Sequence, residues 1–421
     1  MSTYAVQSNV IRGLSKKQYN LLKEMCRYSN SLYNVALYNI RQHYFDTKMF
    51  LTYESNYHEC KTNENYKLLQ AGVAQQTMKV VDRSFKSFFN LLKKCKVGDY
   101  RYHDVKIPHY RKSGGLFNLV LSTNAIIIRG DYLMIPMSRE FRVLHPEVKE
   151  IAIPFPKRLS DKTIKEVRIL PCGNGRVFKI QYVYEVTEEP INLNKDNVIS
   201  IDLGIDNLAT CVSTIGTSFI MDGRKIKSIN HQWNKEMSRL RSIAMKQNLK
   251  TTNRIQRITT KRNNQVNDCI KKTARYIIDY CIENDIGSLV VGYNADFKRN
   301  SNIGKVNNQN FVQIPLGDLR NQLSFLCWKY GIDYIEQEEA YTSKSSFLDK
   351  DVLPEYKPEQ PYTGKFSGKR IHRGLYCSAN GTIINADVNG AANIMRKCKQ
   401  NVDFDKLCLG LLASPARIRL S

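Results

Sequence analysis

Three closely spaced apolar runs, "VISIDLG", "LATCVST" and "TSFIMDG", lie between Val198 and Gly223. The first is almost continuously hydrophobic, as a central strand covered on both faces must be. It ends in an acid, Asp202. This trio constrains the chain most, because the residues after it must supply the covering layers. A polar helical region of about 230–285 comes next, its apolar positions sparse until "ARYIIDYCI". It reads as two helices, the second docking on the sheet by its C-terminal end. "SLVVG" is a fourth strand, and it breaks into a loop at Gly292. "PLGDLRNQLSFLCWKYG", about 315–330, reads as a helix with Pro315 near its start and Gly331 closing it. "IDYIEQE" is a fifth strand. A polar loop of about 343–370 leads to "GTIINAD" and a last helix, "VNGAANIMRKC".

Three strands, helices, strand, helix, strand, loop and helix is the order of elements of an RNase H-like α/β fold. The N-terminal half reads differently. Residues 15–45 and 66–96 carry apolar positions at helical spacing, Leu21, Leu22, Met25 and Leu32 in the first, Met78, Val81, Phe85 and Phe89 in the second. Short alternating runs such as "LFNLVL", "YLMIPM" and "VFKIQYVYEV" then predict a mixed, β-rich unit with a helical insertion over about 15–96. Composition shifts near "EEPINLNKDN", about 188–197. The expected division is therefore 1–190, 195–400 and a tail over 401–421, reasonable for 421 residues.

The chain has 64 Lys and Arg against 39 Asp and Glu, a net charge of +25. The excess clusters, which points to a polyanionic partner, most simply nucleic acid. Dispersed charge on an ordinary basic protein is the competing reading. Eleven scattered cysteines with no C-x-x-C pair fit reduced thiols in a cytosol rather than a disulfide scaffold. No apolar run reaches membrane-spanning length and the N-terminus lacks a signal-peptide core, so the expected location is cytoplasmic, on the nucleoid in a prokaryote.

A carboxylate ending an apolar strand, as Asp202 does, escapes its desolvation cost only if something cationic meets it. Asp387 opens the last helix, where alone it reads as an N-cap. RNase H-like nucleases hold Mg²⁺ with carboxylates from strand one, strand four and the last helix. Mg²⁺ takes hard oxygen ligands and keeps several waters. Two such ions about 4 Å apart activate water and stabilise the leaving oxygen of a phosphodiester.

"ISIDLGIDNLAT", "QNFVQIPLGDLRNQL", "EEAYTSKSSFLD", "FSGKRIHRGLY" and "INADVNGAANIMRK" resemble the transposon-encoded TnpB family, RNA-guided DNA endonucleases related to type V CRISPR effectors. The resemblance covers most of 195–400. It implies a split RuvC site with Asp202 and Asp387 as first and third carboxylates. It also implies Mg²⁺ held by Asp202, Glu339 and Asp387, a guide RNA, a double-stranded DNA target, and an N-terminal wedge unit, β-barrel-like, carrying the recognition helices.

Two departures from that family's common pattern stand out. Strand four ends in Gly292 where the pattern has glutamate. Strand five, expected beside it, ends in "IEQEEAYTS", with Glu336, Glu338 and Glu339. The sequence thus resembles a branch with its glutamate moved to this point. Neighbouring strand residues face opposite ways, so Glu339, nearer the end, is placed first and Glu338 second. Solvated loop acids are the alternative, and Asp296 is a lower-ranked donor. The pattern's two C-x-x-C pairs are also gone: "KSSFLD" and "YCSANG" retain Cys377 alone, with His372 nearby. That is too few ligands for structural zinc, so a degenerate, zinc-less insert is expected over about 343–383. Tyr341, Thr342 and Ser343 are expected to shape the loop.

The nucleic-acid surface is expected in three places. "YRYHDVKIPHYRK" interleaves aromatics with cations and offers Lys106, Tyr110, Arg111 and Lys112. The basic hairpin of about 230–285 offers Arg239, Arg241, Arg254, Arg257, Lys261 and Arg262. "KFSGKRIHRG" offers Lys369, Arg370 and Arg373. The implied function is a Mg²⁺-dependent, RNA-guided DNA endonuclease of a transposable element. An RNA-guided binder without cleavage and a transposase are the alternatives.

Overall fold

The first apolar run is β8 (Val198–Leu203), and its position in a six-stranded sheet explains its composition. The computed structural model describes residues 3–294, 313–356, 362–372, 374–398 and 413–420. Asp296 and Arg373 lie outside the described residues. The chain divides into two compact units, between Thr187 and Glu188.

In the first unit, β1 (Thr3–Val10) leads into four helices, α1 (Lys16–Thr47), α2 (Tyr53–Cys60), α3 (Glu64–Lys67) and α4 (Ala71–Lys96). Ser15 starts α1 with a capping box closed by Gln18. After a long connection come β2 (Leu119–Ser122), β3 (Ile127–Arg129), β4 (Tyr132–Met134), α5 (Arg139–Leu144), β5 (Ala152–Pro154), β6 (Ile164–Cys172) and β7 (Val177–Val186). They form an antiparallel sheet ordered β1-β7-β6-β2 and a small sheet β3-β4-β5. Leu22, Met25 and Leu32 of α1 and Met78, Val81 and Phe85 of α4 share one core with Leu119, Val167, Phe178 and Ile180 of the sheet.

In the second unit, β9 (Asn207–Ser213) and β10 (Ser218–Asp222) continue antiparallel from β8. The helices α6 (Arg224–Lys246) and α7 (Asn253–Glu283) follow, then β11 (Ser288–Tyr293), α8 (Leu316–Tyr330) and β12 (Asp333–Glu338). Gly331 caps α8 at φ 71°, a left-handed conformation that glycine adopts without strain. A three-stranded hairpin of β13 (Lys369–His372), β14 (Leu375–Cys377) and β15 (Ile383–Asn385) runs into α9 (Ala386–Cys398). Residues 401–421, expected as a tail, do not all hang free: β16 (Ala416–Ile418) pairs in parallel with β10. It covers an edge that β10 would otherwise leave open.

The sheet order is β12-β11-β8-β9-β10-β16. Both β11 and β9 flank β8, and β11 is parallel to β8 and to β12. Alternation then sorts the side chains. Ile199, Ile201, Leu289 and Val291 join one core with Ile270, Ile277, Leu319 and Leu323 of α7 and α8. Val198 and Val290 point the other way, into a core with Ala391, Ala392, Ile394 and Met395 of α9. By the same two-residue period, Asp202, Gly292 and Glu339 belong to the α9 side.

Candidate active site

The strand ends β8, β11 and β12 lie side by side, with Val291 paired to Ile201 and Gly292 to Gln337. The ladder extends one residue past β12, because Glu339 N–H donates to the Tyr293 carbonyl at 3.3 Å. This holds Glu339 at the mouth of the sheet facing α9. A Cβ built on Gly292 would stand 2.8 Å from Glu339 Oε2 and 2.6 Å from Ile394 Cδ1. The glutamate carboxylate thus fills the space in front of the strand-four glycine. A Cβ on Gly390 of α9 would likewise stand 2.8 Å from Asp202 Oδ2. Two glycines therefore make room for two acids. Asp387, one turn before Gly390, has Oδ2 accepting from Asn207 Nδ2 at 2.5 Å and Oδ1 3.4 Å from Arg370 Nη2.

The charges of this group interact. Burial, then the neighbouring Glu339 and Asp387 carboxylates, push the Asp202 carboxyl well above the usual range, against the pull of Arg370. Burial and then Glu338 raise Glu339, with Arg320 opposing. Arg320 lies over the Tyr293 ring at 4.2 Å and 3.6 Å from Glu336. Glu338 is differently placed. It is exposed, its Oε2 accepts from Lys397 Nζ at 2.5 Å, and its Oε1 accepts from the Ala340 amide at 2.5 Å.

Among the described residues, no three His, Cys, Asp or Glu side chains stand close enough together to close a cage around a metal ion. Mg²⁺ does not require one: it is held by one or two carboxylates, waters and substrate phosphates. The donor set here is all carboxylate oxygen, and mutual repulsion marks it as short of positive charge. The residues thus fit a hard divalent cation of that kind and do not fit a structural zinc ion.

The region expected to lack zinc is held by hydrogen bonds. Asp349 Oδ2 accepts from the Ala379 amide at 2.8 Å and ties "KSSFLD" to "YCSANG". Asn380 Oδ1 accepts from Ser378 Oγ at 2.6 Å and from the Thr382 amide at 3.0 Å. Tyr376 is buried and donates to the Lys344 carbonyl at 2.8 Å. Cys377 Sγ is 3.5 Å from the Ser378 carbonyl, and the described cysteines are free thiols.

Several residues that matter here went unread in the sequence. Asn389 and Asn393, four apart on the buried face of α9, donate to the Ser345 carbonyl at 2.8 Å each, and Asn393 also donates to that of Thr342 at 2.9 Å. They fasten the loop after Glu339 to the helix carrying Asp387. Amides at i and i+4 in an apolar helix face were the available signal. Thr342 Oγ1 donates to the Glu339 carbonyl at 2.8 Å, and Tyr341 turns the chain at φ 67°. Asn207, Gly390, Arg320 and Arg417 carried no signal, since their roles depend on distant partners.

The basic residues divide into engaged and exposed ones. Arg111 donates to Asn30 Oδ1 at 3.1 Å and stacks 4.3 Å from Phe117, so its guanidinium serves the first unit internally. Lys106 and Lys112 are exposed, and Tyr110 is covered on one face by Arg41 at 4.9 Å. In the hairpin, Arg262 is drawn inward, donating to Asn230 Oδ1 and the Gln313 carbonyl at 2.7 Å each and lying over Trp233. Burial lowers its pKa. Arg239 and Arg254 flank Glu236 at 2.8 and 3.8 Å, while Arg241, Arg257 and Lys261 are exposed. Lys369 is exposed on β13, and Arg370 beside it turns to Asp387. A cleft lined by Asp206, Asn207, Arg224, Lys227, Ser228, His231 and Arg417 opens next to Asp387.

The second unit is an α/β fold with carboxylates at the ends of two of its strands and at the start of its last helix. A family model described as "Probable transposase" matches residues 181–298, and one described as "Cas12f1-like, TNB domain" matches 317–394. The TnpB-like protein ORF457 of Acidianus two-tailed virus is 23% identical over 93% of this chain and 86% of its own length. Cas12f1, solved in a complex with sgRNA and target DNA, shares the fold at a TM-score of 0.56 and 15% identity, over 90% of this chain and 83% of that one. Over 181–298 and 317–394 the chain is thus similar to proteins of the TnpB and Cas12f1 kind. No described helix is long and apolar enough to cross a membrane.

Proposed function

We propose that this protein is an RNA-guided, Mg²⁺-dependent DNA endonuclease of a transposable element, with a RuvC-type site in residues 195–400. The observation that carries this reading is the Glu339 carboxylate in front of Gly292, on the same face of the sheet as Asp202. An acid from strand five would thereby join those of strand one and the last helix, whose charges already act on one another. Asp202, Glu339 and Asp387 would hold two Mg²⁺ ions, which when bound supply an activated water and charge stabilisation at the leaving oxygen. Arg370, reaching Asp387, would place positive charge where the phosphodiester gains negative charge. Glu338 has no direct role in this reading, being engaged by Lys397.

The partners proposed are a guide RNA, as Cas12f1 has in its complex, and a double-stranded DNA target read by pairing with it. Arg241, Arg257, Lys261, Lys106, Lys112 and Lys369 supply exposed charge for phosphates. Residues 1–190 form the recognition lobe. Cleavage of duplex DNA matched to the co-purifying RNA, with Mg²⁺, by wild type and by Asp202→Ala, tests this. Cleavage by wild type alone is expected. Binding by wild type without cleavage would leave an RNA-guided binding protein.

A further inference from the structure

Asp387 is held through a residue that is itself held from the far end of the chain. Asn207, the first residue of β9, donates Nδ2 to Asp387 Oδ2 at 2.5 Å, and its Oδ1 accepts from Arg417 Nη1 at 2.9 Å. The two ends of an amide are nearly equal in size, so their partners decide which end faces where. A guanidinium only donates. Arg417 therefore claims the oxygen of Asn207 and leaves its NH₂ for the carboxylate. A flipped amide would set oxygen against oxygen.

Arg417 reaches this point because β16 is part of the sheet. Ile220 of β10 pairs with Arg417, Lys225 Nζ donates to the Leu420 carbonyl at 3.2 Å, and Arg417 and Arg419 lie 3.8 and 3.5 Å from Asp222 Oδ2. Asp222 also accepts from Arg224. The strand is thus fastened at several points, with Arg417 directed at Asn207.

We propose that Arg417 is a positioning residue for the candidate active site: through Asn207 it fixes one oxygen of Asp387 and leaves the other facing Arg370 and a divalent cation. The C-terminal strand then belongs to the support of the site. This inference rests on the nuclease reading for its role in turnover, but not for its effect on cation affinity. Groups that orient metal-binding carboxylates change affinity or activity by about 10–100-fold when removed.

The test uses the full chain with its co-purified RNA. Calorimetry measures Mn²⁺ affinity without DNA, and kcat and KM are measured on an RNA-matched duplex. Arg417→Ala is expected to weaken Mn²⁺ binding and lower kcat, each about 10–100-fold, while KM stays within about twofold. Arg417→Lys, which still donates, should recover part of the loss. The double variant Arg417→Ala/Asn207→Ala should be no worse than Asn207→Ala, because one acts through the other. Arg419→Ala, just past the same strand, exposed and paired with Asp222 but not with Asn207, should match wild type. Wild-type values for Arg417→Ala, multiplying losses in the double variant, or a loss confined to KM each overturn the inference. Should Arg417→Ala fail to fold, Arg417→Lys against Arg419→Ala carries the same comparison. A wild type that binds Mn²⁺ but does not cleave removes the nuclease reading and leaves the relay judged on Mn²⁺ affinity.

Discussion

Glu339 occupies the place that a side chain on Gly292 would need: Oε2 stands 2.8 Å from the position of a Cβ there. The two positions are mutually exclusive in this packing. Ile394, at 2.6 Å, closes the other side. Gly292→Ala should therefore push Glu339 or Ile394 aside and destabilise the protein by about 1–3 kcal/mol. A lowered Tm together with lowered DNA cleavage is expected. Unchanged cleavage would mean that Glu339 does not need this pose.

The neighbouring acids should behave oppositely. Glu339→Gln keeps the shape of a half-buried side chain but removes its charge, and cleavage should fall at least about 100-fold. Glu338→Gln removes the charge opposite the mostly buried Lys397 but keeps an oxygen for it and for the Ala340 amide; it should cost stability, about 1–3 kcal/mol, and leave turnover nearly intact. Equal losses in both variants would contradict the assignment.

The raised pKa values predict a pH dependence of stability with an unusual sign. Asp202 and Glu339 titrate higher in the folded chain than in the unfolded one. Between the unfolded values, about 4, and the raised folded ones, the native state binds more protons, so stability falls as pH rises. With EDTA present, Asp202→Asn should have a higher Tm than wild type at neutral pH, and the gap should close below about pH 4. Adding Mg²⁺ should raise the Tm of wild type more than that of the variant. A variant less stable than wild type at neutral pH would refute the charge-repulsion account.

Two classes of basic residue should separate in a salt titration. Arg257→Ala and Lys261→Ala remove exposed cations. Each should weaken nucleic-acid binding and reduce the slope of log K against log salt by about 1, without moving Tm. Arg262→Ala removes partly buried hydrogen bonds to Asn230 and Gln313. It should cost about 1–3 kcal/mol of stability before any effect on affinity is counted.

The insert that lacks the paired cysteines should depend on Asp349. Asp349→Ala leaves the Ala379 amide without its acceptor and should increase hydrogen exchange across β14 and β15. A zinc chelator should leave the same amides unchanged. Protection lost on chelation would point instead to a bound metal.

By itself the sequence determined what each segment could be. The apolar run ending in Asp202 had to be a covered strand, "PLGDLRNQLSFLCWKYG" a helix closed at Gly331, and "INADVNGAANIMRK" a helix begun by an acid, because local periodicity and capping act over a few residues. It also ranked Glu339 and Glu338 ahead of Asp296 as candidates for a relocated acid, since alternation allows one of two neighbours to face a given side. Only the tertiary structure showed which of them faces α9, because the facing side is set by the register of β12 on β11 and by Ile394 of α9. The same holds for Asn207 and Arg417, which lie 210 positions apart. No local pattern encodes that pairing. It exists because β16 joins β10 in the sheet, and a strand partner is chosen by the packing of the whole domain.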